Sequence, residues 1–282
     1  MTPAQLQLFG HPISHSLSPE IHAQFAQQTG IHLIYRLCNT TPDDFPNDLR
    51  RFLAGPTTGA NITLPHKYTA SRLIENCTQR ALHAGAVNTI ARLDGKWIGD
   101  NTDGVGLVRD ILQRAKITLA DAQVLLIGAG GAAAGVAPAL LDAGIAQLVV
   151  TNRSLDKAKM LAERLHDQQQ RVTAQPLHLL SSKKITPDII INATSAARSD
   201  NADDLAQILE KIAPAQYAID LNYSHGAHVF LQKMSDIGVR HSLDGLGMLV
   251  EQAAESFFLW FGKYPNTDPV YTALRAKNPL CC

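Results

Sequence analysis

The stretch Val124–Ser154, VLLIGAGGAAAGVAPALLDAGIAQLVVTNRS, restricts the fold more than any other part of the chain. Four apolar residues, Val124–Ile127, run into a small-residue cluster, Gly128-Ala129-Gly130-Gly131-Ala132-Ala133. A helical segment of small residues follows. A second apolar run, Leu148–Val150, then ends in Thr151-Asn152-Arg153-Ser154. Strand, tight turn, helix and strand in that order form the first half of a dinucleotide-binding unit.

The residue types match the physical demands of such a turn. Gly128 permits the sharp exit from the strand. Gly130 lets a pyrophosphate approach the backbone, and Ala133 holds the third small position, where helix and strand pack closely. The helix start offers free N–H groups and the positive end of its dipole to phosphates. A glycine-rich turn by itself carries little information. The strand before it, the helix after it and the second strand make it specific.

The end of the second strand selects the cofactor. An NAD site usually places Asp or Glu there to accept from the ribose 2′-OH. This chain has Asn152, Arg153 and Ser154, with Lys157 one helical turn later. Arg153 and Lys157 attract a 2′-phosphate, and Arg153 can also lie flat on the adenine. NADP is the expected cofactor, and a solvated basic turn is the plainer alternative.

The chain has 282 residues, a length that suggests two domains. Lys+Arg and Asp+Glu each number 25, so no basic excess points to a nucleic-acid partner. The 11 histidines form no HExxH or paired-ligand spacing, so no metal is expected. Cys38, Cys77, Cys281 and Cys282 form no CxxC pair, which fits a reduced, cytoplasmic setting. Met1–Phe9 has neither a charged start nor a long apolar core, so no signal peptide is read. The uncharged run Val124–Leu141 is long enough for a membrane span, but its glycines and Pro138 favour a strand, turn and helix of a water-soluble sheet.

Upstream, the pattern alternates between strands and helices. Strands are expected at Gln5–Gly10, Leu33–Leu37 and from Gly59. Ser18-Pro19 reads as a helix N-cap followed by proline at the first helical position, with the helix ending at Gly30. A helix is expected over Asp43–Leu53 and another near Arg80–His83. Asp94-Gly95 reads as a hairpin turn between Thr89–Leu93 and Lys96–Gly99. Val105–Ala115 reads as a linking helix. Downstream, helix Asp156–His166, strand Ile189–Ala193, a polar loop Ser195–Asp203, a helix near Leu205–Ile212, strand Tyr217–Leu221 and helix Ala227–Ile237 are expected. A long apolar helix then opens after Asp244 and runs through Phe261. Pro138 removes a helical hydrogen bond and is expected to kink its helix. The fold class is α/β: a mostly parallel N-terminal sheet followed by a doubly wound Rossmann-type sheet, with a cleft between them.

Polar residues gather where the N-terminal strands end. Ser16 and Ser18 follow the first strand, and Asn61, Thr63 and Lys67 the third. Asn88, Thr89, Asn101 and Asp103 follow the later ones. That rim is where open α/β sheets bind ligands. Hydroxyls, amides, one Lys and one Asp suit a small polyhydroxy acid. For Ser18, Asn101 and Thr102 taken singly, turn chemistry is the simpler account. Lys67 and Asp103 are the expected catalytic pair: an ammonium beside a carboxylate can hold a carbinol oxygen and move its proton.

GHPISHSLSP, GANITLPHK, AGAVNT, GDNTDG, GAGGAAAG, TNRS, INATS and DGLGMLVEQAA follow one another in the order found in shikimate dehydrogenases. From Phe9 to about Trp260 the chain resembles that family. The resemblance implies reversible, NADP-dependent reduction of 3-dehydroshikimate to shikimate, on the route to chorismate and the aromatic amino acids. It puts Lys67 and Asp103 at the catalytic positions. Ser16, Ser18, Thr63, Asn88, Asp103, Gln252 and Tyr223 fall at substrate positions, with Asn61 beside them. Gly128, Ala129, Gly130, Gly131, Ala132, Ala133, Asn152, Arg153, Ser154, Lys157, Thr194, Leu221 and Gly245 fall at cofactor positions. It further implies a substrate domain of residues 1–102 completed by 244–282, and a cofactor domain of residues 103–243. Hinges are expected near Asp103 and Leu243.

Three departures stand out. Lys157 occupies a place where many NADP-using members carry a second Arg. Ala196-Ala197-Arg198-Ser199 lacks the glycine usual after INATS. Leu221 and Asn222 replace commoner apolar residues before Tyr223. Two other readings stay open: a dehydrogenase that also takes quinate or prefers NAD, and a non-catalytic NADP-binding sensor. Monomer and homodimer are both compatible with the sequence.

Overall fold

A computed structural model describes residues 2–165, 167–177, 180, 186–194, 215–223 and 225–280. The loop expected at Ser195–Asp203, with its altered residues 196–199, lies outside the described residues. So do the helix expected near Leu205–Ile212 and the pair Cys281 and Cys282.

The first sheet contains β1 (Ala4–Gly10), β2 (Leu33–Asn39), β3 (Gly59–Ile62), β4 (Asn76–Cys77), β5 (Thr89–Leu93) and β6 (Lys96–Asp100), in the order β2-β1-β3-β5-β6-β4. The pairs β1–β2, β1–β3 and β4–β6 are parallel, whereas β3–β5 and β5–β6 are antiparallel. The hairpin at Asp94-Gly95 makes the β5–β6 pair antiparallel. Both residues have positive φ, 49° and 78°, the conformation of a primed two-residue turn. Helices α1 (Ser18–Thr29), α2 (Phe45–Ala54), α3 (Lys67–Leu73) and α4 (Gln79–Ala84) connect these strands.

The expected cap of α1 needs correction. The helix starts one residue earlier than its sequence suggests, so Leu17 is the N-cap and Ser18 is already helical. Ser16 performs the capping work instead, its Oγ accepting from Ser18 N at 3.2 Å.

The second sheet contains β7 (Gln123–Ile127), β8 (Gln147–Asn152), β9 (Val172–Pro176), β10 (Ile189–Asn192), β11 (Tyr217–Asp220) and β12 (His241–Leu243). All its pairings are parallel, in the order β12-β11-β10-β7-β8-β9. This is the doubly wound order, with its switch point between β7 and β10. Alternate residues of β7 feed opposite faces. Val124 and Leu126 pack with α6 (Gly131–Asp142), while Leu125 and Ile127 pack with Phe230 and Leu231 of α8 (His225–Asp236). α6 continues through Pro138 to Asp142. α7 (Leu155–Arg164) follows β8.

The linking segment begins at Asp103 rather than Val105. It runs as α5 (Asp103–Arg109) and widens into a π-helical turn, Asp110–Arg114. After β12 the chain returns to the first sheet. α9 (Leu246–Phe261) and α10 (Thr267–Lys277) close one core with α1. Ile21 and Phe25 of α1 meet Val250, Ala253 and Phe257 of α9 and Leu274 of α10, all fully buried. Each side chain of that size buried in this way stabilises the fold by about 1.5–3 kcal/mol. Arg80 of α4 binds Asp100 through two nitrogens and also reaches Glu255 of α9 at 2.9 Å, which adds an ionic tie to the same docking.

Candidate active site

The carboxyl ends of both sheets face a cleft of about 330 Å³. Lys67 is the first residue of α3, and Asp103 the first of α5. Lys67 Nζ donates to Asp103 Oδ2 at 2.5 Å, and both side chains are nearly buried. Asn88 Nδ2 donates to the other carboxylate oxygen, Oδ1, at 2.8 Å. Asn101 fixes the backbone of the pair, its Oδ1 accepting from Asp103 N at 3.1 Å. A charged pair at this depth needs hydrogen bonds besides its own contact, and Asn88 supplies one to the carboxylate.

Below the pair lies a layer of buried hydroxyls and amides. Asn88 Oδ1 accepts from Thr102 N at 2.8 Å, and Asn88 Nδ2 lies 3.3 Å from Gln252 Oε1 of α9. Thr89, Thr102 and Ser256 bring their hydroxyls together at 2.8–3.4 Å. Ser16 Oγ donates to Ser18 Oγ at 3.1 Å on the opposite rim, where Thr63 and Tyr223 also line the cleft. All the residues expected at substrate positions therefore share one cavity: Ser16, Ser18, Asn61, Thr63, Lys67, Asn88, Asp103, Tyr223 and Gln252.

The glycine-rich turn forms the facing wall. Gly128 has φ +116°, and a Cβ there would meet Thr194 Cγ2 at 3.0 Å and the Ala193 backbone at 3.1 Å. Gly130 is the N-cap of α6, without a side-chain cap and with open space where a Cβ would stand. The first-turn amides of α6 are thus left for an anion. A Cβ on Gly131 would lie 3.4 Å from Lys67 Cβ, so the turn touches the lysine. Ala129 O accepts from Tyr68 Oη at 3.4 Å, and Ala133 is fully buried against the sheet.

Ala132, Thr194, Leu221 and Gly245 line the cleft beside the turn. Thr194 Oγ1 donates to Asn192 Oδ1 at 2.7 Å, and Asn222 Nδ2 donates to Thr194 O at 2.9 Å. Asn192 also donates to the buried Asp220. Burial pushes the Asp220 carboxyl up to about 6, against the N–H donors of Asn222 and Asn192. At the end of β8, Asn152 Nδ2 donates to Ser154 O at 3.0 Å. Arg153 and Lys157 extend into solvent beyond the cleft. Open space at Gly130, uncapped amides and two exposed cations fit a dinucleotide with a 2′-phosphate.

Several residues of the site were not singled out in the sequence. His15, Ile13 and Met248 line the cleft, and Ser256, Asn192 and Asp220 support it from behind. Thr102 is more than a turn residue: it is fully buried and holds Asn88. Asn192 lay in plain view inside INATS. Ser256 is polar on an otherwise apolar helix face, and that mismatch was its signal.

A Rossmann-type sheet facing a polar rim across a cleft defines a two-domain α/β protein that binds a dinucleotide. The model of the shikimate dehydrogenase substrate binding domain matches residues 8–90, that of shikimate / quinate 5-dehydrogenase 109–223, and that of the shikimate 5′-dehydrogenase C-terminal domain 245–275. A protein of Xanthomonas campestris pv. campestris (strain 8004) named shikimate dehydrogenase (NADP(+)) is 49% identical over 280 residues, covering 99% of this chain and 98% of that one. The crystal structure of an Ael1 enzyme from Pseudomonas putida superposes with TM-score 0.84 at 37% identity, covering 96% of this chain and 98% of that one. That of shikimate 5-dehydrogenase from Thermus thermophilus, in complex with shikimate, gives 0.81 at 31% identity, with 97% and 98% covered. The chain belongs to the shikimate dehydrogenase family.

Proposed function

We propose that this protein interconverts 3-dehydroshikimate and shikimate with NADP, a step toward chorismate and the aromatic amino acids. The observation that carries the reading is the Lys67–Asp103 pair, 2.5 Å apart, in a cleft whose far wall is the phosphate-binding turn. NADP, when bound, supplies the two-electron acceptor or donor. Its pyrophosphate is assigned to Gly128–Ala133 and the start of α6. Its 2′-phosphate is assigned to Arg153 and Lys157, with Asn152 and Ser154 shaping the turn. Thr194, Leu221 and Gly245 are assigned to the nicotinamide end.

The chain's own groups do the remaining work. Ser16 and Ser18 donate to the substrate carboxylate, with Tyr223 beside them. Thr63, Asn88 and Gln252 hold ring hydroxyls. When the ring alcohol is oxidised its O–H proton must leave as the C–H bond breaks. The Lys67 amine takes that proton and becomes the ammonium that Asp103 holds; in the reducing direction the ammonium returns it to the carbonyl oxygen. The wall formed by α6 and α9 limits water around the reacting oxygen.

Residues 1–102 together with 244–282 form the substrate domain in this reading, and 103–243 the cofactor domain. The support is that each span holds its own sheet, and that α9 packs on α1. The domains close on their ligands about hinges near Asp103 and Leu243. No helix among the described residues is long and apolar enough to cross a membrane. We place the enzyme in the cytoplasm, as a monomer or homodimer with no nucleic-acid partner. The test is to compare kcat/KM for shikimate and quinate, each with NADP and with NAD. Shikimate with NADP is expected to lead. A lead by quinate or by NAD would give the proposal up in favour of a broader quinate/shikimate dehydrogenase.

A further inference from the structure

Behind the rim two aromatic side chains meet the amide of Asn61, and the Tyr35 hydroxyl also meets Ser18 of the cleft. Tyr35 of β2 donates its hydroxyl to Asn61 Oδ1 at 2.7 Å. His22 of α1 stacks on Tyr35, with ring centroids 4.6 Å apart and planes 18° from parallel. His22 is fully buried, and its Nδ1 has no hydrogen-bond partner. Burial pushes its pKa down to about 3, with a hydrogen bond to Asn61 pulling the other way. The ring is therefore neutral. With Nδ1 unpartnered, Nε2–H is the donor facing Asn61.

The amide of Asn61 is thus occupied on both sides. Its Oδ1 takes Tyr35 and His22. Its Nδ2 serves Thr89 Oγ1 at 3.1 Å, Ser256 Oγ at 3.1 Å and Asn88 O at 3.3 Å. Its two amide protons face these three protein acceptors. Two donors on the oxygen also fix which end of the amide is which. Asn61 lines the cleft, yet its polar atoms point into the protein.

We infer that Tyr35 is a positioning residue of the substrate site: with His22 behind it, its hydroxyl locks the Asn61 amide, and Asn61 in turn holds Thr89, Ser256 and the Asn88 backbone in register. Asn61 is in this account a strut between the sheet and α9, and the substrate is held by the residues it steadies. Asn88 and Gln252 are the two that matter most, because they sit on the elements Asn61 joins. Removing the Tyr35 hydroxyl leaves His22 alone on Oδ1. The amide is then held on one side only, and its grip on Thr89 and Ser256 loosens.

The inference rests on shikimate being the substrate, so wild-type turnover of shikimate with NADP is measured first. A wild-type protein with none would remove that reading, and the inference with it. Tyr35→Phe keeps the aromatic stack and removes one oxygen. It is expected to raise the KM for shikimate roughly tenfold, leaving kcat and the KM for NADP within about twofold. In an Asn61→Ala background the same change is expected to have no further effect, because its target is gone. An unchanged shikimate KM, a parallel rise for NADP, or an equal loss in both backgrounds would overturn the inference while leaving the proposed activity standing. Where Asn61→Ala does not fold, the two KM values of Tyr35→Phe decide by themselves.

Discussion

The carboxylate of Asp103 rests on Gly135: a Cβ at that glycine would stand 2.8 Å from Oδ2, the same oxygen that Lys67 grips. Gly135 belongs to α6, the helix that follows the phosphate turn. The cofactor-side helix therefore sets how far the acid can retreat from the lysine. Asn101 Oδ1, which accepts from Asp103 N, would meet the same Cβ at 2.9 Å.

Gly135→Ala is accordingly expected to lower kcat on the order of a hundredfold by displacing the pair about 1 Å, with both KM values little changed. Deuterium at the reacting carbon is the check. A misplaced pair slows chemistry and raises the isotope effect on kcat. A smaller fraction of folded enzyme would leave it as it was.

Lys67→Ala removes the group that carries the proton. Turnover is expected to fall about 10²–10⁴-fold while NADP affinity stays nearly constant. Steady-state kinetics with a fluorescence titration of NADP separates the two. Lost cofactor affinity with normal turnover would contradict the assignment.

Arg153→Ala is expected to raise the KM for NADP about 10- to 100-fold, the loss of a charge-assisted contact. The KM for NAD should hardly move. Equal changes for both cofactors would mean that Arg153 does not read the 2′-phosphate.

Asp220 gives a pH prediction. Its folded pKa, about 6, lies above the ordinary carboxyl value of 3.8. The folded state thus binds this proton more tightly. The resulting stability is present below about pH 4 and is lost as the pH rises through about 6. His22 acts in the opposite sense. Its folded value of about 3 gives stability present above 6.5 and lost as the pH falls toward 3. The comparison must therefore be with a variant. Asp220→Asn is expected to gain on wild type by on the order of 2 kcal/mol between pH 4 and pH 7, read by urea unfolding. A constant difference across that range would rule the titration out.

The second sheet was largely legible in the chain because its strands are short apolar runs between strong turn signals. Val124–Ile127 and Ile189–Asn192 could hardly be anything but buried strands. β4, β9 and β12 were missed because two or three residues in β4 and β12, and the mixed VTAQP in β9, take their strand character from neighbours rather than from a pattern of their own. The rim residues were visible because Ser, Asn, Lys and Asp cluster after strands. Tyr35 and His22 were not. Each is a common residue within its own element, and their meeting at Asn61 depends on how α1 packs against β2. The cap at Ser18 failed for a local reason: the sequence marks a helix start but not which of two nearby serines accepts the bond.

Gln252 and Ser256 reach the rim on α9, and Gln252 leaves the ribosome 164 residues after Asn88, the amide it meets there. During synthesis the nucleotide sheet can be complete while the hydroxy-acid pocket still lacks a wall.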